Sequence, residues 1–228
     1  EEVKRTGKRH RPAVGCCLIF LLVVFVCVGW IVWSLAATGL VFRPDGYLAR
    51  AAYHVPTPRE FVKPSVPVET VLESELSSEL ASRLQASGGN LSDRSISVTI
   101  TQEQLTASLR NLIDQAGYGL QSEGAQISID EEGIEIFVPI KRGEHRSVVK
   151  VVGDIKVDNG APHIRLDEIH LGGFHVPKML ARTIFTRAVD KALSSLVAKL
   201  GTYASLQDIS YGNGRMTLTG ELIVEVLP

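Results

Sequence analysis

The chain has 228 residues and a formal net charge of −1, which excludes the broad basic face of a general nucleic-acid binder. Its three cysteines, Cys16, Cys17 and Cys27, all lie in or at the edge of one apolar run. Everything after Phe42 therefore has no disulfide, no cysteine nucleophile and no thiolate metal site, and must rely on its own core.

Residues 1–12 hold Lys4, Arg5, Lys8, Arg9 and Arg11, and an uncharged run, residues 13–42, follows them. A hydrocarbon core about 30 Å thick needs roughly 20 apolar helical residues. Val14 to Trp33 supply these with no ionisable side chain other than thiols, predicting one transmembrane helix. Basic residues before the run outnumber Arg43, Arg50 and Arg59 after it. The tail is therefore expected in the cytoplasm and the bulk of the chain outside the cell membrane, held by this single pass. Ser34-Leu35-Ala36 has the small residues of a signal-peptidase site. A cleaved leader, however, carries an apolar segment of only about 7–15 residues, so retention as an anchor is preferred. Trp30 and Trp33 are placed near the outer interface, where indole rings favour the boundary between lipid and water.

Residues 43–92 form the next unit. Pro44, Pro56, Pro58, Pro64 and Pro67 remove backbone donors and push their predecessors toward extended geometry. They predict a semi-rigid linker that holds the following domain off the bilayer. Val68, Leu72, Leu76, Leu80 and Leu84 recur every fourth residue. This predicts an amphipathic helix over about 68–86, ending at Ser87-Gly88-Gly89. Its stripe is open to docking on the domain, to self-association, to the membrane, or to a cell-envelope protein partner.

A domain is expected over 93–228. Ile96, Val98 and Ile100 alternate with polar residues and predict a half-buried strand. Thr101-Gln102-Glu103-Gln104 matches a capping box, and Leu105, Leu109, Leu112, Ile113 and Ala116 follow on one helical face. Strands are predicted at about 126–130, 133–140, 146–157 and 163–171, with turns at Asp130-Glu131-Glu132-Gly133 and Asp158-Asn159-Gly160. A long helix over about 178–200 comes next, then two strands around Gly212-Asn213-Gly214. The fold class is α+β, an antiparallel sheet of about six strands in the order β-α-β-β-β-β-α-β-β. Val148, Val149, Val151 and Val152 are apolar on both side-chain parities. Part of that strand is expected to be covered on both faces, by a helix on one and a helix or linker on the other, or to face an apolar groove that accepts an acyl chain.

Catalytic patterns are missing. HExxH, GxSxG and the phosphate loop do not occur, and Gly117-Tyr118-Gly119 is a helix stop rather than a dinucleotide fingerprint. His163 and His170 are seven residues apart in one predicted strand, which places them on opposite faces. The pairs Glu131-Glu132 and Asp167-Glu168 read as a solvated turn and a solvated strand face. No catalytic, cofactor-binding or metal-binding residue is assigned, and an enzyme is not expected.

The block from Ser95 to Leu105, the hairpin near Asp158-Asn159-Gly160, the segment Leu171-Gly172-Gly173-Phe174-His175-Val176-Pro177 and the helix after it resemble the YpmS-like family of membrane-anchored extracytoplasmic bacterial proteins. Such domains are similar to the tubular lipid-binding group, in which a curved antiparallel sheet wraps a long helix around an apolar channel. The resemblance implies binding of lipid or another amphiphile, in envelope lipid handling. The groove residues nominated on this basis are Val149, Val151, Leu166, Ile184 and Leu196, with Phe174 and Met179 at its mouth. The alternative is a ligand-free envelope interaction or scaffold module, acting through a sheet face or the 68–86 helix.

Overall fold

The structure is a computed structural model that describes residues 12–42, 46–72, 74, 78, 82, 95–116, 121–158, 161–179 and 204–222. Helix α1 spans Pro12–Ala37 and α2 spans Tyr47–Ala52. A third helix, α3, starts at residue 68, and residues 68–72, 74, 78 and 82 are helical. Strand β1 (Ser95–Thr101) leads into α4 (Gln102–Ala116). Strands β2 (Gln126–Asp130), β3 (Gly133–Arg142), β4 (His145–Asp158), β5 (Ala161–Leu171) and the short β6 (Phe174–His175) follow. The last pair is β7 (Ala204–Gly212) and β8 (Arg215–Leu222).

The fold is α+β, with two antiparallel sheets where one was expected. Strands β2 to β6 pair in chain order as a five-stranded sheet, while β1, β8 and β7 form a separate three-stranded sheet. The separation follows from β1 pairing with β8 over Ser95–Thr101, a contact between the two ends of the domain that no local pattern announces. The long helix expected over 178–200 lies outside the described residues beyond Lys178 and Met179, which are helical.

Local signals translate directly into geometry. The Thr101 amide donates to Gln104 Oε1 at 2.8 Å, and the Gln104 amide to Thr101 Oγ1 at 3.4 Å, completing the capping box. Asp130 Oδ1 accepts from the amides of Glu132 and Gly133 and closes the β2–β3 turn. Asn213 and Gly214 both take positive φ, +50° and +73°, the requirement of a type I′ hairpin. On α4, Ile113 is buried and Leu105 and Leu109 are half-buried, but Leu112 is exposed. The buried face is rotated away from Leu112 because it also carries polar residues, Gln102 and Thr106.

These polar residues guard the edge of the larger sheet. Gln102 Oε1 accepts from the Ile129 amide at 3.1 Å. Thr106 Oγ1 accepts from the Ile127 amide and donates to the Ile127 carbonyl, and Arg110 Nε donates to the Ala125 carbonyl. Residues spaced by four on a helix thus meet residues spaced by two on a strand. The row supplies β2 with the partners that a neighbouring strand would otherwise give an unpaired edge.

The main core lies between the two sheets, α4 and the start of α3. Val68, Ile100, Ile127, Ile129 and Met216 are buried there, with Leu72, Leu105 and Ile134 packed against them. The first turn of α3 is therefore docked on the domain through Val68 and Leu72. Tyr211 joins the sheets: its hydroxyl donates to the Ile155 carbonyl and accepts from the Ile155 amide, each at 2.7 Å.

The end of α1 is built into the same body. Ala36 is 0% exposed, and Ala37 and Thr38 are also buried. The Gly173 amide donates to the Ala37 carbonyl at 2.8 Å, and Ser147 Oγ to the Thr38 carbonyl. A helix leaves its last carbonyls without partners, and here the β5–β6 turn provides one. Gly172 has φ +58°, and a Cβ there would stand 2.6 Å from the Thr38 carbonyl oxygen. Only glycine fits so close to the helix end.

Candidate functional site

The proline-rich stretch read as a linker lies along the larger sheet as a strap. The Arg59 amide donates to Glu135 Oε1 at 2.8 Å and the Val62 amide to Gln126 Oε1 at 3.2 Å. The Gln126 side-chain amide returns to the Glu60 carbonyl, and the Val68 amide donates to Ser108 Oγ. Prolines remove some of the donors; the amides of Arg59 and Val62 find side-chain acceptors on the sheet, and those of Ser65 and Val68 find acceptors on α4. The strap is pinned hardest at Glu135, which is only 1% exposed. Its Oε2 stands 2.7 Å from Lys150 Nζ and 3.4 Å from Arg59 Nε, so the buried carboxylate is compensated by two cations.

Between these anchor points the strap and sheet leave an apolar slot of about 490 Å³. Its walls are Val55, Pro56, Pro58 and Phe61 on the strap side and Phe137 and Pro139 on β3. Phe61 stands at the opening, 86% exposed. Arg110 and Lys63 are the charged lining residues, and no carboxylate joins them. The volume falls within the range of small-molecule sites, about 300–1,000 Å³, and the lining is of the usual kind, mostly apolar with a few polar groups.

Two other clefts are less suited to a ligand. One, of about 680 Å³, is lined by Arg59, Glu132, Asp154, Lys156, Arg165 and Tyr211, among others. Several of its charges are already paired: Asp154 with Arg165 at 3.0 Å and with Lys156 at 3.6 Å. Burial, with help from the Asp154 charge, pushes the Tyr211 hydroxyl up to about 12. A phenol so poised stays protonated and serves as a structural donor. The other, of about 570 Å³, is a polar hollow around the β7–β8 turn.

The nominated groove residues are only partly brought together. Val149, Val151 and Leu166 share the apolar face of the larger sheet: Val149 opposes Val138 and Leu171, Val151 opposes Ile136 and Ile169, and Leu166 opposes Gly153. Val149 packs on the cluster of Ile113, Ala125 and Val138. Phe174 is elsewhere, against Ala36, Ala37 and Ala52 at the end of α1. Met179 is 85% exposed. Ile184 and Leu196 lie outside the described residues. Strand β4 is covered on both faces where its valines cluster, by α4 through Ile113 and Leu109 and by the strap, where Lys150 Nζ donates to the Thr57 carbonyl.

The histidine geometry corrects one expectation. His163 opposes Lys156 and His170 opposes Lys150, so the two histidines share a face. The pairing passes from Val152–Glu168 to Gly153–Leu166, which leaves Asp167 as the extra residue of a bulge and restores the parity that a seven-residue spacing would break. His170 instead meets His175, their rings edge to face at 4.8 Å. Among the described residues, no group of three or more His, Cys, Asp or Glu is arranged to hold a metal ion.

Sequence alone does not show the slot, because its strap wall has the composition of a semi-rigid linker. The available signal was Val55, Phe61, Val62 and Val68, apolar residues interleaved with the prolines. No protein-family model matches this chain, and no curated protein matches it.

Proposed function

We propose that the chain is a single-pass membrane-anchored protein, its N-terminus cytoplasmic and its bulk outside the cell membrane. Its domain binds lipid or another amphiphile without catalysing a reaction, in the manner of an envelope lipid-handling factor. One observation carries the anchor. Helix α1 is 26 residues long, contains no Asp, Glu, Lys or Arg, and presents Phe25 at 83% exposure beside exposed Leu22, Val26, Trp30 and Trp33. At 1.5 Å per residue it reaches about 39 Å, more than a hydrocarbon core of about 30 Å. Over the residues whose side chains are described, which in α1 begin at Leu22, no helix is long and apolar enough to cross a membrane. The proposal therefore rests on the whole of Pro12–Ala37. The exposed apolar side chains from Leu22 to Trp33 need a covering, and lipid supplies it.

The slot between strap and sheet supports the second half of the reading. It is apolar, open at Phe61, and walled by the strap that follows α2, whose Ala52 packs on the end of α1. Burying an acyl chain there contributes roughly 0.8 kcal/mol per methylene. The test is photolabelling of the full chain in lipid nanodiscs with a palmitate that carries a mid-chain diazirine. Adducts are expected on residues 55–63 and 137–139 and lost in Phe61→Asp, an exposed position where folding is unaffected. Adducts confined to α1 in the unsubstituted chain would sink the lipid-binding reading and leave the anchor standing.

A further inference from the structure

We infer that the slot takes one acyl chain with an anionic head, and that Arg110 and Lys63 form the clamp for that head. The inference rests on the lipid-binding reading above and names the ligand class. Size sets the chain number. A methylene fills about the space of one water, roughly 30 Å³. A slot of about 490 Å³ therefore matches the volume of a single chain of ordinary length.

Charge sets the head. Three carboxylates of this sheet face, Asp130, Glu135 and Asp154, are each paired: Asp130 and Glu135 with Arg59, Glu135 also with Lys150, and Asp154 with Arg165; a fourth, Glu168, meets His170. Lys63 and Arg110 have no ion pair among the described residues, and both line the slot. Arg110 is half-buried, and its Nε is fixed on the Ala125 carbonyl at 2.8 Å. That bond holds the guanidinium against the slot, and its terminal amino groups, the ones suited to a two-oxygen anion, have no partner among the described residues. An uncompensated, partly desolvated guanidinium beside an exposed lysine, with no carboxylate in the lining, is complementary to a phosphate or carboxylate head. It offers nothing specific to a neutral one.

The experiment is competition against the palmitate photolabel on the full chain in nanodiscs, with two competitors that share one oleoyl chain. Oleoyl-lysophosphatidate carries an anionic head and monoolein a neutral one. The anionic competitor should displace the label from 55–63 and 137–139 at about tenfold lower concentration, the worth of one charge-assisted hydrogen bond. Lys63→Gln, at an exposed position, should shrink the gap between the two competitors, a ratio that does not depend on how tightly the anionic label itself is held, and Arg110→Gln should do the same. Equal competition by the two amphiphiles in the unsubstituted chain would overturn the clamp and leave the lipid-binding reading intact. Absence of any displaceable label from the slot would overturn both.

Discussion

One hydroxyl of Thr106 satisfies both backbone groups of Ile127: it accepts from the amide at 2.9 Å and donates to the carbonyl at 3.2 Å. Thr106 is 0% exposed, so water cannot replace either bond. Thr106→Val keeps the shape and removes both partners. The expected cost is about 2–6 kcal/mol, since each of the two buried groups left unpaired costs about 1–3 kcal/mol. Thr106→Ser keeps the hydroxyl and should lose only about 1 kcal/mol for the missing methyl. Thermal unfolding of the detergent-solubilised chain, followed by circular dichroism, separates the two. Equal losses would mean that the hydroxyl is not what matters.

Tyr211 repeats the device on Ile155, across the two sheets. Its hydroxyl is raised to about 12 by burial, whereas the unfolded chain ionises near 10. An acid whose proton is held more tightly in the folded state contributes stability that is full below pH 10 and declines as pH climbs toward 12. Tyr211→Phe should therefore be less stable at neutral pH, by about 1–3 kcal/mol for the unpaired Ile155 groups. It should also show a shallower fall between pH 10 and 12. Parallel curves for the two proteins across that window would refute the assignment.

Glu135 decides whether the strap stays down. Glu135→Gln keeps an acceptor for the Arg59 amide but strands Lys150, whose side chain is 18% exposed. Loss of one partner of a buried ion pair costs about 3–5 kcal/mol. Faster proteolysis within residues 55–66 is expected, with the rest of the domain resistant. The double variant Glu135→Gln/Lys150→Met should recover most of the loss, because no buried charge remains. A double variant as labile as the single one would show that the pair is not the pin.

Gly172 tests the joint between α1 and the sheet. Gly172→Ala forces a left-handed conformation on a residue with a Cβ and drives that carbon toward the carbonyls of Ala37 and Thr38. Hydrogen exchange should rise at the Gly173 amide, which loses its bond to Ala37, before it rises in β3 or β4. Unchanged protection at Gly173 would mean that the joint tolerates the methyl.

Much of this fold is legible in the chain wherever the partner is close in sequence. The Thr101/Gln104 box, the Asp130 turn and the Asn213-Gly214 hairpin each close within a few residues, so residue type and spacing suffice. Alternation at Ile96, Val98 and Ile100 likewise marks a face. What escapes is set by distant partners. Gln102, Thr106 and Arg110 look like the wet side of an amphipathic helix until a strand edge is brought beside them. The prolines of the strap look like a spacer until Glu135 and Gln126 offer acceptors to the amides that remain. A single extra residue at Asp167 inverts the facing of everything beyond it, which no count of alternate positions can foresee. The slot inherits all of this, since it exists only where strap and sheet meet.

The Ala37–Gly173 bond has a mechanical meaning as well as a structural one. The last turn of α1 is held on the β5–β6 hairpin by this bond and by Phe174 packed on Ala36 and Ala37. Under the anchor proposed above, a tilt of α1 in the bilayer is therefore expected to carry the opening at Phe61 with it.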